Sequence, residues 1–212
     1  MRPIDLSVYL VLDPELCAAI GMVETAVRAV EGGATAVQLR DKAAPHAELV
    51  ATGRALKAAL AGTGVPLIVN DDVAAAIEIG ADGLHIGQGD MLPHEARMRI
   101  GPEMILGLSV ETPEHAAAAD PRLVDYVGAG PVFATATKPG HAAPTGFGGL
   151  ARIIAATPLP AVAIGGVKHG HAAEAVAAGA RGLAVVSAIC GRPDPARAAR
   201  VLVHAMKKAR EA

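Results

Sequence analysis

The chain has 212 residues, a formal net charge of −2, and 52% hydrophobic but only 2% aromatic residues. A near-neutral balance leaves no basic footprint for nucleic acid or an anionic membrane. Two cysteines with no CxxC neighbour indicate neither a disulfide framework nor a zinc site, and a core without tryptophan must be assembled from Ala, Val, Leu and Ile.

The first segment, MRPIDLSVYLVLDPEL, holds an apolar run of only about five residues, too short for a signal peptide or a membrane span. A cytoplasmic setting is therefore expected. Short apolar runs at 8–12 (VYLVL), 36–40 (AVQLR), 66–70 (PLIVN) and 83–87 (GLHIG) predict strands. So do 105–109 (ILGLS), 125–130 (DYVGAG), 161–166 (AVAIGG) and 182–188 (GLAVVSA). Ala-rich amphipathic stretches at 18–33, 46–60 and 171–180 predict helices between them, and a last helix opens at Asp194-Pro195 with a cap and a proline at its first position.

A phrase recurs: Gly33-Ala-Thr-Ala-Val-Gln, Gly80-Ala-Asp-Gly-Leu-His and Gly179-Ala-Arg-Gly-Leu-Ala. Each Gly-Ala ends a helix and turns at once into a strand, the mark of repeated αβ units. Strands separated by helices run parallel, and eight such units close most naturally into an α/β fold of the (β/α)8 TIM-barrel class, here a single domain over residues 1–212. A doubly wound open sheet would carry a glycine fingerprint after its first strand, and VYLVLDPEL has none.

In such a barrel the chemistry gathers where strands end. The polar residues at those ends are Gln38, Arg40, Lys42, Asn70, Asp71, Gln88, Asp90, Ser109, Thr135, Thr137, Lys138, Gly165-Gly166 and Ser187, whereas strand starts carry Ala36, Pro66, Gly83, Ile105 and Ala161. Asp71 and Asp90 with Arg40, Lys42 and Lys138 suit a magnesium–polyphosphate complex: Mg²⁺ takes one or two carboxylates and shares phosphate oxygens, while Arg grips phosphate bidentately and Lys acts as a point charge. In Asn70-Asp71-Asp72, the first two residues then aim at a ligand and Asp72 caps the next helix. The bland alternative makes Asp71 a cap and Asp90 a turn residue of QGDMLP.

AIGG (163–166) and AVVSAI (184–189) offer a phosphate cradle at the last two strands, or simply tight turns. The long aperiodic stretch 130–149, GPVFATATKPGHAAPTGFGG, is expected to form a lid, with an irregular loop as the alternative. His85 lies within a strand and reads as a satisfied barrel-interior histidine. KHGH (168–171) opens a helix without a third metal ligand and reads as surface. No Ser-His-Asp or Cys-His arrangement has supporting context.

YLVLDP, VQLRDK, VNDDVAAAIEIGADGLHIGQGD, GLSVETPEHA, DYVGAGPVFATATK, AIGGV and GLAVVSAI occur in that order from residue 9 to about 190 and resemble the thiamine-phosphate synthase family. The resemblance implies a Mg²⁺-dependent transferase. Its pyrimidine diphosphate loses pyrophosphate in a dissociative step, and the resulting pyrimidine cation is captured by the ring nitrogen of thiazole phosphate. It further implies that Gln38, Arg40, Lys42, Asn70, Ser109 and Lys138 bind the pyrimidine diphosphate, with Arg40, Lys42, Lys138 and Ser109 acting in catalysis. Asp71 and Asp90 are implied as Mg²⁺ carboxylates, and Thr135, Thr137, Gly166, Val186 and Ser187 as the thiazole-phosphate pocket. Departures from the family pattern are Ala134 where Pro is usual, Glu111 where His is frequent, and Asp41 for the commoner Glu.

The partners implied are small molecules, with neither nucleic acid nor membrane; Ala-rich outer helices admit a homodimer without specifying one. The rival enzyme is a thiazole tautomerase-like paralogue, which shares the barrel but needs no metal and carries a catalytic His at the position of Glu111. A non-catalytic regulator on the same barrel would require a recognition surface, and no basic recognition helix is evident.

Overall fold

The computed structural model describes residues 4–135 and 143–212. Eight parallel strands close into a barrel in sequence order: β1 (Val8–Val11), β2 (Ala36–Leu39), β3 (Leu67–Asn70), β4 (Gly83–Ile86), β5 (Ile105–Val110), β6 (Tyr126–Ala129), β7 (Ala161–Ala163) and β8 (Gly182–Val185), with β8 pairing back onto β1. The helices between them are α1 (Met22–Glu31), α2 (His46–Ala59), α3 (Val73–Ile79), α4 (Pro93–Ile100), α5 (Pro113–Ala118), α6 (Gly146–Ala155), α7 (Ala172–Ala177) and α8 (Pro195–Glu211). Each expected strand is present, and α8 packs on both α1 and α7, so the ring of helices closes as the strands do.

Three of the ends that differ from the sequence expectation leave segments outside the regular elements. The first helix begins at Met22 rather than at 18, because Gly21 has φ 82° and interrupts the helical path. Residues ahead of it form turns, tied by Leu16 N donating to Asp13 Oδ1 at 2.9 Å. Strands β7 and β8 stop at Ala163 and Val185, short of the expected 166 and 188. The residues that follow each of them line the cleft described below. The recurring Gly-Ala phrase behaves as expected at Gly80, which caps α3 in the left-handed region (φ 68°), a conformation that costs glycine little.

Two apolar layers result. Outward strand residues such as Val37, Leu39, Leu67 and Val69 pack with the inner faces of the helices, including Ala26, Ala29, Leu56 and Ala75. Small helix residues let helix and sheet approach closely. A separate inner cluster, including Tyr9, Ala36, Ile68, Ile105, Tyr126, Val162 and Ala184, fills the barrel. Cys17 and Cys190, remote in sequence, are both buried free thiols in hydrogen-bonding contact behind β1. Among the described residues no helix is long and apolar enough to cross a membrane.

At the closed end of the barrel, Arg97 of α4 ties several chain ends together. Its guanidinium donates to the carbonyls of Leu123, Gly101 and Met104 and to Asp125 Oδ2 at 2.9 Å. Asp125 Oδ2 also accepts from Leu106 N at 2.9 Å, which joins the starts of β5 and β6. Both side chains are largely buried, at 15% and 8% exposure. Removing the cation would strip a buried carboxylate of its counter-charge, which costs about 3–5 kcal/mol. Arg97→Ala is therefore expected to lose that much stability in urea unfolding, while the folded fraction keeps its activity because the contact lies at the face opposite the strand carboxyl ends.

Candidate active site

Every described residue that the resemblance assigned to the site lines one cleft at the carboxyl ends of the strands. Gln38, Arg40, Lys42, Asn70, Asp71, Asp90 and Ser109 line one side of it, and Thr135, Gly166, Val186 and Ser187 the other. Thr137 and Lys138 lie outside the described residues, as does the middle of the expected lid.

The Asn70-Asp71-Asp72 sequence divides its labour as expected. Asn70 is the last residue of β3. Asp71 then adopts φ 61°, the one described non-glycine residue in the left-handed region. Its N–H donates to His85 O at 2.9 Å, and Asp72 N donates to Asn70 O at 2.7 Å. This kink takes Asp71 out of the strand's alternation and puts its carboxylate in the cleft; Asp and Asn tolerate the conformation better than most residues. Asp72 caps α3, its Oδ1 accepting from Ala75 N at 2.8 Å, and its Oδ2 lies 3.2 Å from His46 Nδ1.

Opposing influences act on the Asp71 carboxylate. Burial raises its pKa above the ordinary carboxylate value, and the facing Asp90 pushes it further up. Lys42, whose Nζ is 2.8 Å from Asp71 Oδ2, pulls in the other direction. Asp90 is held by Gly87 N, which donates to its Oδ2 at 2.7 Å. Two carboxylates are thus brought together against their mutual repulsion with one lysine beside them. Among the described residues no cluster of three or more His, Cys, Asp or Glu side chains offers a complete metal cage. Such a half-built oxygen site fits Mg²⁺, which fills its remaining positions with water and phosphate oxygens.

The opposite wall is backbone. Gly165 and Gly166 have φ 84° and 65°. A Cβ on Gly166 would come within 2.8 Å of both Ala134 O and Phe133 Cβ. Glycine is required here twice over, by dihedral and by the closeness of the 131–134 segment, which is tied on by Val132 N donating to Ile164 O (2.9 Å) and Phe133 N donating to Gly165 O (3.0 Å). Phe133 is anchored in turn by Phe147 and His171, at ring-centroid distances of 5.4 and 4.6 Å. The KHGH stretch is exposed at 168–170 as expected, while the half-buried His171 packs on Phe133 and its Nδ1 accepts from Lys168 N at 3.1 Å.

The floor was only partly foreseen. His85 is a satisfied interior residue, as expected, with Nδ1 2.9 Å from Tyr126 Oη and Nε2 2.9 Å from Ser109 Oγ; it also lines the cleft. Nothing local in the sequence announces that Tyr9 and Tyr126, the only two tyrosines, meet at 2.8 Å between their hydroxyls inside the barrel. Glu111, Pro131, Ile164 and Val167 are further lining residues. Gln88, at a strand end, does not line the cleft but braces β5 by donating to Ser109 O at 2.7 Å.

With this geometry in place, comparison with known proteins is informative. Residues 8–189 match the family model described as thiamine monophosphate synthase. The thiamine-phosphate synthase of Xanthobacter autotrophicus is 51% identical over 209 residues, 99% of either chain. That of a Psychrobacter species is 49% identical, covering 93% of this chain and 94% of its own. Among solved structures, the thiamine phosphate pyrophosphorylase of Pyrococcus furiosus superposes with a TM-score of 0.87 at 35% identity, over 97% of each chain. The chain belongs to the thiamine monophosphate synthase family.

Proposed function

We propose that this protein is a transferase that joins a pyrimidine diphosphate to thiazole phosphate, releasing pyrophosphate and forming thiamine phosphate. The observation that carries the proposal is the pairing of Asp71 with Asp90, beside Lys42 and Arg40, in a cleft whose other wall is the Gly165-Gly166 turn. One wall is built for a metal-bound diphosphate and the other for backbone contact with a phosphate.

In this mechanism Mg²⁺, held by Asp71 and Asp90, would neutralise charge on the diphosphate. Arg40 and Lys42 bind the same oxygens and stabilise the negative charge that grows as the carbon–oxygen bond breaks, and Lys138 is assigned the same task by its place in the motif. These contacts strengthen in the transition state, where the leaving group is more negative than in the ground state. Gln38, Asn70 and Ser109 hold the pyrimidine ring on the floor. Thr135, Thr137, Gly166, Val186 and Ser187 hold thiazole phosphate so that its ring nitrogen faces the cationic carbon as pyrophosphate departs. No side chain has to remove a proton for this bond to form, which suits a cleft without an evident general base.

Three outcomes are expected. Thiamine phosphate forms from the two substrates only when Mg²⁺ is supplied, and chelation abolishes it; conversion of a thiazole carboxylate without metal would instead assign the protein to the tautomerase paralogues. The two adjacent aspartates separate by role. Asp71→Asn, which keeps the left-handed backbone accessible, lowers kcat/KM by at least about a hundredfold, equivalent to about 2.7 kcal/mol. It leaves thermal stability equal or higher, because the fold already resists that charge. Asp72→Ala costs about 1 kcal/mol of stability through the lost cap and spares turnover. At the second wall, Gly166→Ala raises KM for thiazole phosphate about tenfold, roughly 1.4 kcal/mol, with KM for the pyrimidine diphosphate unchanged in the same steady-state assay.

A further inference from the structure

A continuous chain of hydrogen bonds crosses the barrel beneath the cleft. Gln38 Nε2 donates to Tyr9 Oη at 2.9 Å, Tyr9 Oη lies 2.8 Å from Tyr126 Oη, Tyr126 Oη lies 2.9 Å from His85 Nδ1, and His85 Nε2 lies 2.9 Å from Ser109 Oγ. Its members come from β2, β1, β6, β4 and β5. The three middle residues are buried, with exposures of 1%, 0% and 7% for Tyr9, Tyr126 and His85. Space for them is made by Gly107, where a Cβ would overlap both the Tyr126 ring and His85.

Donor and acceptor rules give this chain a direction. An amide nitrogen only donates, so Tyr9 accepts from Gln38 and its own proton goes to Tyr126. Tyr126 then passes its proton to His85 Nδ1. The imidazole is left neutral, with its hydrogen on Nε2 and donated to Ser109 Oγ. Reversing a single link strands a buried phenol proton without an acceptor in the chain, which low-dielectric surroundings penalise. Burial also raises the pKa of both phenols, so each keeps its proton.

We propose that Tyr9, Tyr126 and His85 form a positioning relay that sets the polarity of both ends of the cleft floor, so that Gln38 presents its carbonyl oxygen as an acceptor and Ser109 presents its hydroxyl proton as a donor. The relay makes the floor selective for a flat heterocycle that offers a donor on the Gln38 side and an acceptor on the Ser109 side, as an aminopyrimidine does with its exocyclic amine and a ring nitrogen. A heterocycle with the opposite pattern meets two mismatched groups rather than one, because the ends are coupled. The aminopyrimidine rests on the function proposed above; the direction of the relay does not.

Tyr126 tests this cleanly, since it is fully buried and does not line the cleft. In ¹⁵N-histidine NMR of the free protein, His85, assigned by the signal lost in His85→Gln, is expected as the Nε2–H tautomer at neutral pH. An Nδ1–H tautomer would overturn the stated polarity. In kinetics, Tyr126→Phe is expected to raise KM for the pyrimidine diphosphate about tenfold, while KM for thiazole phosphate stays put. The losses caused by Gln38→Ala and Ser109→Ala are expected to be non-additive in the wild-type background and additive once Phe replaces Tyr126. Additive losses in both backgrounds, or both KM values moving together, would reduce Tyr126 to packing and sink the relay. Should Tyr126→Phe not fold, Tyr9→Phe breaks the chain one link earlier and must give the same split. If the wild type forms no thiamine phosphate, the proposed function fails, while the tautomer still decides the direction of the relay.

Discussion

A closed parallel barrel must fill its interior, and this chain fills part of it with polar side chains that hydrogen-bond to one another. Tyr9, Gln38, His85, Ser109 and Tyr126 all project inward from different strands, and among these residues the hydrogen bonds form a single chain. Buried polar groups left unpaired cost about 1–3 kcal/mol each. The strand register that brings them within reach is therefore favoured over registers that do not. Sliding one strand by a residue would turn its inward set outward and break the chain at that strand. Barrel closure and the shape of the cleft floor are consequences of the same constraint.

Above that floor, the cleft places unlike environments side by side. On the β2–β4 side, two carboxylates are crowded together and one is driven toward its neutral form by burial and by its neighbour. A divalent cation of the kind proposed for this site would relieve that repulsion. On the β7–β8 side, the wall is made of backbone and small residues, with positive φ at Gly165 and Gly166 and the 131–134 segment pressed against them. The first wall suits charge, the second suits close approach. A reaction between a diphosphate ester and a phosphate-bearing nucleophile needs both within one enclosure.

The legibility of these features in the sequence follows the range of the forces behind them. Strands and helices were readable because their signals are local: apolar runs, Gly-Ala turns, an Asp-Pro cap. The strand-end residues were readable because barrel topology converts a position in sequence into a place at the mouth, so Asn70, Asp71, Asp90 and Ser109 could be grouped without knowing a single distance. The resemblance to a known family supplied their individual roles. What escaped notice depends on contacts across the barrel. Tyr9 sits in an apolar run as any strand tyrosine does, and Tyr126 starts one; only the register of eight strands reveals that their hydroxyls meet. KHGH reads as surface because it opens a helix without a third metal ligand nearby, and nothing local announces Phe133 as the partner of His171. Cys17 and Cys190 were separable in sequence for the same reason.

On the function and relay proposed above, specificity on this scaffold has two origins with different tolerance to change. Charge complementarity at Arg40, Lys42, Asp71 and Asp90 is long-ranged and forgiving: a side chain displaced by half an ångström still feels most of the field of a diphosphate. Recognition of a heterocycle by Gln38 and Ser109 is short-ranged and directional, and a donor that meets a donor loses the bond altogether. The residues that must hold position are therefore those set on strands and wedged among buried partners, whereas the cationic groups sit at and beyond the strand ends, where Lys42 is more than half exposed. A barrel arranged this way can alter its charged rim at low structural cost. Exchanging the heterocycle it reads would require the buried chain beneath the floor to be rebuilt as a unit.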